Sequence, residues 1–96
     1  MLELTPSNYG REVELSREPV LICVHDSETL PPEGLEQLCG QSMKCCGLNA
    51  QRYEEMAKSL RVLGLPSAIV LDGGRIVQRI HGERSLRDFA RILGKN

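Results

Sequence analysis

An α/β fold is predicted by three features of this 96-residue chain. Val20-Leu21-Ile22-Cys23-Val24 and Ala68-Ile69-Val70-Leu71 are continuous apolar runs rich in β-branched residues, the pattern of strands covered on both faces. Segments with apolar residues at helical spacing lie between and after them. Asp72-Gly73-Gly74 then separates the second run from Arg75-Ile76-Val77-Gln78-Arg79-Ile80, as a tight turn separates the arms of a hairpin, with glycine supplying the positive φ. The predicted order is helix, strand, helix, strand, helix, hairpin, helix, within a single domain over residues 1–96.

Each element has a local cause. Thr5-Pro6 is a helix start, a hydroxyl cap followed by a proline whose missing N–H costs nothing there. Tyr9, Val13 and Leu15 supply an apolar stripe up to Ser16. Pro19 introduces the first strand, and His25-Asp26-Ser27-Glu28-Thr29 is the polar loop at its carboxyl end. Thr29 is the expected cap of a helix entered through Leu30-Pro31-Pro32-Glu33, with Leu35, Leu38 and Cys39 on one face and Gly40 as a left-handed stop. Residues 43–48 read as a short second strand. Asn49 caps a helix in which Tyr53, Met56, Ala57 and Leu60 share a face. Gly64-Leu65-Pro66-Ser67 breaks the chain before the hairpin. Gly82 punctuates its end, and Ser85 caps a last helix lined by Leu86, Phe89, Ala90 and Leu93.

Composition removes several classes of function. Twelve basic against thirteen acidic side chains leave a net charge of −1, which argues against phosphate-backbone binding or a polybasic membrane surface. Tyr9, Tyr53 and Phe89 are the only aromatic residues, so no base-stacking platform is available. Nucleic acid is therefore not an expected partner. The longest apolar runs fall far short of a membrane span, and Met1-Leu2-Glu3-Leu4-Thr5 lacks the basic start and apolar stretch of a secretory signal. The expected address is the cytoplasm, where Cys23, Cys39, Cys45 and Cys46 would be thiols.

These thiols offer little obvious chemistry. Adjacent Cα atoms sit about 3.8 Å apart, below the roughly 4.4 Å minimum for a disulfide, and strand neighbours point to opposite faces. Cys45-Cys46 therefore reads as two buried strand residues. Cys39, near a helix end and expected to be partly exposed, is the better candidate for a reactive thiol, although a helix C-terminus disfavours the thiolate. No pair has the Cys-x2-Cys spacing of a zinc site, and no cofactor or metal is expected. Cys23 and His25 share a strand face.

The stretch Leu60-Arg61-Val62-Leu63-Gly64-Leu65-Pro66-Ser67-Ala68-Ile69-Val70-Leu71-Asp72-Gly73-Gly74-Arg75-Ile76-Val77 resembles the thioredoxin family: a helix end, a Gly-x-Pro, a strand, a glycine turn and a return strand. His81-Gly82 and the last helix continue the likeness, while Leu4-Thr5, Tyr9 and the first apolar strand resemble the family's start. The resemblance implies a thioredoxin-like fold, a central mixed sheet of about four strands flanked by helices in the order α-β-α-β-α-β-β-α. It also marks a departure. Where thioredoxins carry Trp-Cys-x-x-Cys, this chain has His25-Asp26-Ser27-Glu28-Thr29-Leu30. The low-pKa thiolate at a helix N-terminus is missing, and with it the ordinary dithiol mechanism.

The resemblance further implies a cis bond before Pro66, leaving the Leu65 backbone open to pair with an extended peptide by β-augmentation. The expected function is a redox-inactive protein- or peptide-binding module with a chaperone, assembly or adaptor role. Its site would comprise Leu65, Pro66 and Ser67, with His25, Asp26, Ser27, His81 and Gly82 around the rim. Leu30, Leu63 and Leu65 would favour a protein partner if exposed. The alternative is a thiol–disulfide oxidoreductase or redox sensor working through one cysteine, Cys39 or Cys23. A third reading brings His25, His81 and Asp26 together around a metal.

Overall fold

The computed structural model describes residues 1–94. Five strands, β1 (Leu2–Glu3), β2 (Val20–His25), β3 (Lys44–Asn49), β4 (Ser67–Asp72) and β5 (Arg75–His81), form one sheet in the order β1-β3-β2-β4-β5. β1 and β2 run parallel to β3, β4 runs antiparallel to β2, and β5 runs antiparallel to β4. Three α-helices, α1 (Leu35–Cys39), α2 (Glu54–Ser59) and α3 (Leu86–Ile92), and a π-helix at Gly10–Glu14 complete the α/β domain. None of these helices is long and apolar enough to cross a membrane.

The sheet divides the core into two layers. Val20, Ile22 and Val24 of β2 pack with Cys46, Leu48, Ile69 and Leu71 against Val13 of the π-helix and Ala57 of α2. The alternate residues Leu21 and Cys23 pack with Cys45, Ala68, Val70 and Ile80 against Leu35 and Cys39 of α1 and Phe89 of α3. With helices on both sides, β2 is apolar from Val20 to Val24 and β4 from Ala68 to Leu71, which is why these runs are unbroken instead of alternating. Cys45 and Cys46 fall in opposite layers, as the two-residue strand period requires.

Four boundaries differ from the sequence expectation. The sheet has five strands because β1 adds to the β3 edge through Leu2↔Cys46 and Glu3↔Gly47, a pairing too short to leave a periodic signal. The helix expected from Pro6 is instead a turn leading into the π-helix, closed by Leu15 N–H donating to the Gly10 carbonyl at 3.0 Å. Val13 is its one buried residue, and Leu15 is 78% exposed, so no apolar stripe holds the segment to α geometry. Thr29 does not cap α1; its hydroxyl is bound to Asp26, and α1 begins after Gly34, whose φ of 89° interrupts a helix entered from Pro31-Pro32. Asn49 makes a turn of its own, its side-chain oxygen accepting from the Gln51 and Arg52 N–H groups at 3.0 and 3.1 Å, and α2 proper starts at Glu54.

The hairpin and the last helix follow their local signals closely. Gly73 and Gly74 have φ of 63° and 81°, the double positive φ of a two-residue hairpin turn. Ser85 accepts from the Asp88 N–H at 3.1 Å while Asp88 accepts from the Ser85 N–H at 3.2 Å, a reciprocal cap. A bulge interrupts the β4–β5 ladder between Val70 and Leu71, leaving Val77 as the extra residue on β5.

Candidate functional site

β2 ends at His25, on the strand between parallel β3 and antiparallel β4. Crevices at the carboxyl ends of strands where connections diverge are common ligand sites in α/β sheets. Here the chain leaves β2 through a tight polar turn. Asp26 N–H donates to Thr29 Oγ1 at 3.0 Å, Thr29 Oγ1 donates to Asp26 Oδ1 at 2.7 Å, and Glu28 N–H donates to the same oxygen at 2.9 Å. These donors stabilise the carboxylate, the Thr29 hydroxyl foremost and the Glu28 N–H next, and hold the Asp26 pKa below its ordinary value. The turn then presents Leu30-Pro31-Pro32 beside the end of β2.

His25 is buried at this end. Its Nε2 lies 3.3 Å from Glu3 Oε1 and its Nδ1 lies 3.4 Å from the Asp26 carbonyl oxygen. Glu3 sits two strands away on β1 and reaches His25 across β3 only because residue 47 is glycine: a Cβ there would collide with the Glu3 carboxylate. Gly47 thus serves close approach and not a turn.

The second wall comes from the start of β4. The Leu65–Pro66 bond is cis. The Pro66 carbonyl accepts from the Gly82 N–H at 3.0 Å, and Ser67 Oγ donates to the Gly64 carbonyl at 2.7 Å. Among the described residues, no hydrogen bond reaches the Leu65 N–H or C=O. Between the two walls lies a cleft of about 90 Å³, floored by Cys23 and bordered by Pro31, Pro66, Arg84 and Phe89. Leu30 also lines it, at 67% exposure, whereas Leu63 and Leu65, at 99% and 37%, line a separate shallow depression with Ala57 and Val62.

Of the residues expected at the site, His25, Leu30, Pro66, Ser67 and Gly82 line this cleft, whereas Leu63, Leu65, Asp26, Ser27 and His81 do not. Thr29, Pro31, Pro32, Glu83, Arg84 and Phe89 also line it and were not anticipated. The Pro31-Pro32 pair just after a strand end was the available signal, an apolar and rigid approach beside polar neighbours. Arg84 and Phe89 arrive from more than fifty positions along the chain and carry no local mark.

The expectation that Cys39 is partly exposed is corrected: it is buried, because the face of α1 carrying Leu35 and Cys39 is the one pressed onto the sheet. All four cysteines are buried. The Cys45 pKa is pushed up to about 12, chiefly by its hydrogen bond to the Cys23 thiol and further by burial, with the Cys39 thiol acting against the rise. Burial pushes Cys46 up to about 11. The metal reading is also corrected: among the described residues, no group of three or more His, Cys, Asp or Glu side chains could hold an ion, so His25, His81 and Asp26 do not form a ligand set. Compared with family models and with curated proteins, the sequence matches none.

Proposed function

We propose that this chain is a thioredoxin-like protein without the dithiol active site, a redox-inactive module that binds an extended segment of a protein partner beside Pro66 in a chaperone, assembly or adaptor role. The strand order β1-β3-β2-β4-β5, with a parallel β2–β3 pair and a terminal antiparallel hairpin, supports the fold reading. One observation carries the functional reading. The cleft at the end of β2, lined by exposed Leu30, meets Pro66-Ser67 next to a Leu65 backbone with no bond among the described residues. An extended peptide pairing with Leu65 would gain backbone hydrogen bonds, and its side chains would meet the cleft and Leu30.

The single-cysteine alternative draws support from Cys23, which borders the cleft. Its 4% exposure, and the 1% exposure of Cys39, weigh against attack on an external disulfide.

The test is an amide chemical-shift titration of the labelled protein with a tiled set of extended apolar peptides. A binding peptide should move Leu65, Ser67 and the residues of the cleft, and Leu65→Asp should weaken it. Peptides that bind while leaving Leu65 and Ser67 unmoved would sink the reading, as would a complete set that fails to bind at millimolar concentration.

A further inference from the structure

The depression beside Leu65 lies on the other side of the sheet from the cleft. Its volume is about 200 Å³, and Ala50, Ala57, Val62, Leu63 and Leu65 line it. Ala57 belongs to the core layer of α2, and Ala50 and Val62 pack against that layer. Cys23, Ala68 and Phe89 of the cleft belong to the opposite layer, that of α1 and α3. The chain passes from one hollow to the other over residues 64–67. Gly64 and Leu65 line the depression, and Pro66 and Ser67 line the cleft.

The end of α2 shapes this depression. Val62 N–H donates to the Ala57 carbonyl at 3.2 Å and Arg61 N–H donates to the Lys58 carbonyl at 2.9 Å, the paired bonds of a Schellman stop. Such a stop needs a left-handed residue, and Arg61 supplies it with a φ of 59°, where glycine is usual. Arg79 of β5 secures the turn by donating to the Leu60 carbonyl at 2.9 Å. The stop brings Val62 back toward Ala57 and leaves the Leu63 side chain in solvent, outside the core.

Charge and strand geometry together define what fits. Glu54 and Lys58, one turn apart on α2, border the depression, and Glu83 and Arg84 border the cleft. Each hollow thus sets an acid and a base beside a largely apolar lining, a balance that favours an uncharged side chain over either sign. An extended segment paired with Leu65 directs successive side chains to opposite faces. The residue directly opposite Leu65 shares its face and meets the depression. Its neighbour beside Pro66 turns toward the cleft. Resting on the peptide-binding reading above, we propose that the site selects two adjacent apolar residues of a partner protein. The larger packs in the depression against Leu63, and the smaller enters the cleft, whose volume is about 90 Å³ against about 200 Å³.

The probes are the blocked peptides Ser-Thr-Val-Leu-Thr-Ser and Ser-Thr-Leu-Val-Thr-Ser, both orders being used because alternation does not fix strand direction. Amide and methyl shifts of the labelled protein report binding. The tighter-binding order should move the Val62 and Leu63 methyls together with the Leu65 and Ser67 amides. Replacing its Leu by Ser or Glu should weaken binding roughly tenfold, and Leu63→Ser, which removes an exposed side chain, should cost a similar factor. The two losses should not add, so the Ser-containing peptide should bind the variant and the parent equally. Peptides that move Leu65 and Ser67 but bind equally with Leu, Ser or Glu would overturn this inference and leave peptide binding standing. So would failure of both orders while other peptides still move Leu65. Val62 and Leu63 shifts on raising protein concentration alone would overturn it in favour of a second copy of the chain. No movement of Leu65 with any peptide would remove the reading on which it rests, and the inference with it.

Discussion

A native-state titration with a chromogenic disulfide reagent is expected to find no reactive thiol, and four after denaturation. Two effects oppose reaction, and their sizes decide which matters. Near pH 8 an ordinary cysteine of pKa about 8.5 is roughly one-quarter thiolate. Raised to about 12 and about 11, Cys45 and Cys46 hold thiolate fractions on the order of 10⁻⁴ and 10⁻³. A more basic thiolate is also a better nucleophile, which returns a factor of roughly 40 for Cys45 and roughly 15 for Cys46. Protonation alone therefore slows them by only about 60-fold and about 20-fold.

Access is the larger barrier. Cys46 is 0% exposed, and if it reacts only through global opening, a stability of about 5 kcal/mol leaves roughly one molecule in 5,000 open. Silence over the time in which free cysteine reacts completely is the expected record. A thiol reacting within about an order of magnitude of free cysteine, in protein that remains folded by circular dichroism, would refute the reasoning. Mass mapping of the labelled residue then decides the consequence. Label on Cys23 would mean that the cleft opens to its floor, and Cys23→Ser would be the next variant. Label on Cys39 would mean that α1 lifts from the sheet.

Removing the cap of α3 by Ser85→Ala should cost about 1 kcal/mol, read from the urea midpoint at unchanged slope, and Ser85→Thr should recover most of it. The Asp26 pKa is lowered on folding, so its contribution to stability is present above the ordinary carboxyl pKa and disappears as pH falls through the lowered folded value. Thr29→Val should bring the Asp26 pKa, followed by carboxyl-carbon NMR, back up toward that of an ordinary aspartate and flatten the acid limb of stability; an unmoved titration would show that the Thr29 hydroxyl is not the main cause.

Legibility from sequence tracked how local each cause is. β2 and β4 announce themselves because burial on both faces demands apolar residues at consecutive positions. The hairpin is legible because Gly73 and Gly74 occupy the two positions that need positive φ, and α3 because Ser85 and Asp88 satisfy each other's backbone N–H within one turn. The loop after β2 misled for an equally physical reason. Thr29 has the chemistry of a helix cap, but Asp26, three residues back, competes for its hydroxyl and wins. Asn49 likewise spends its side chain on a turn before α2 instead of on the helix itself.

At the site, His25, Pro66, Ser67 and Gly82 were legible through the thioredoxin resemblance of the Gly-x-Pro stretch, whereas Arg84 and Phe89 depend on how α3 docks. Cys39 shows the same limit, since helical spacing puts it on a face with Leu35 but does not say how closely that face meets β3. By itself, then, the sequence determined the α/β class, the doubly buried central strands, the hairpin turn and the last helix, all of which arise from spacing and chemistry within a few residues. Only the tertiary structure decided that β1 exists, that Glu3 crosses Gly47 to reach a histidine twenty-two residues away, and that Cys39 is sealed. Each of these is a contact between segments distant in sequence, and its free energy comes from closing the chain around a core, which no short window of residues encodes.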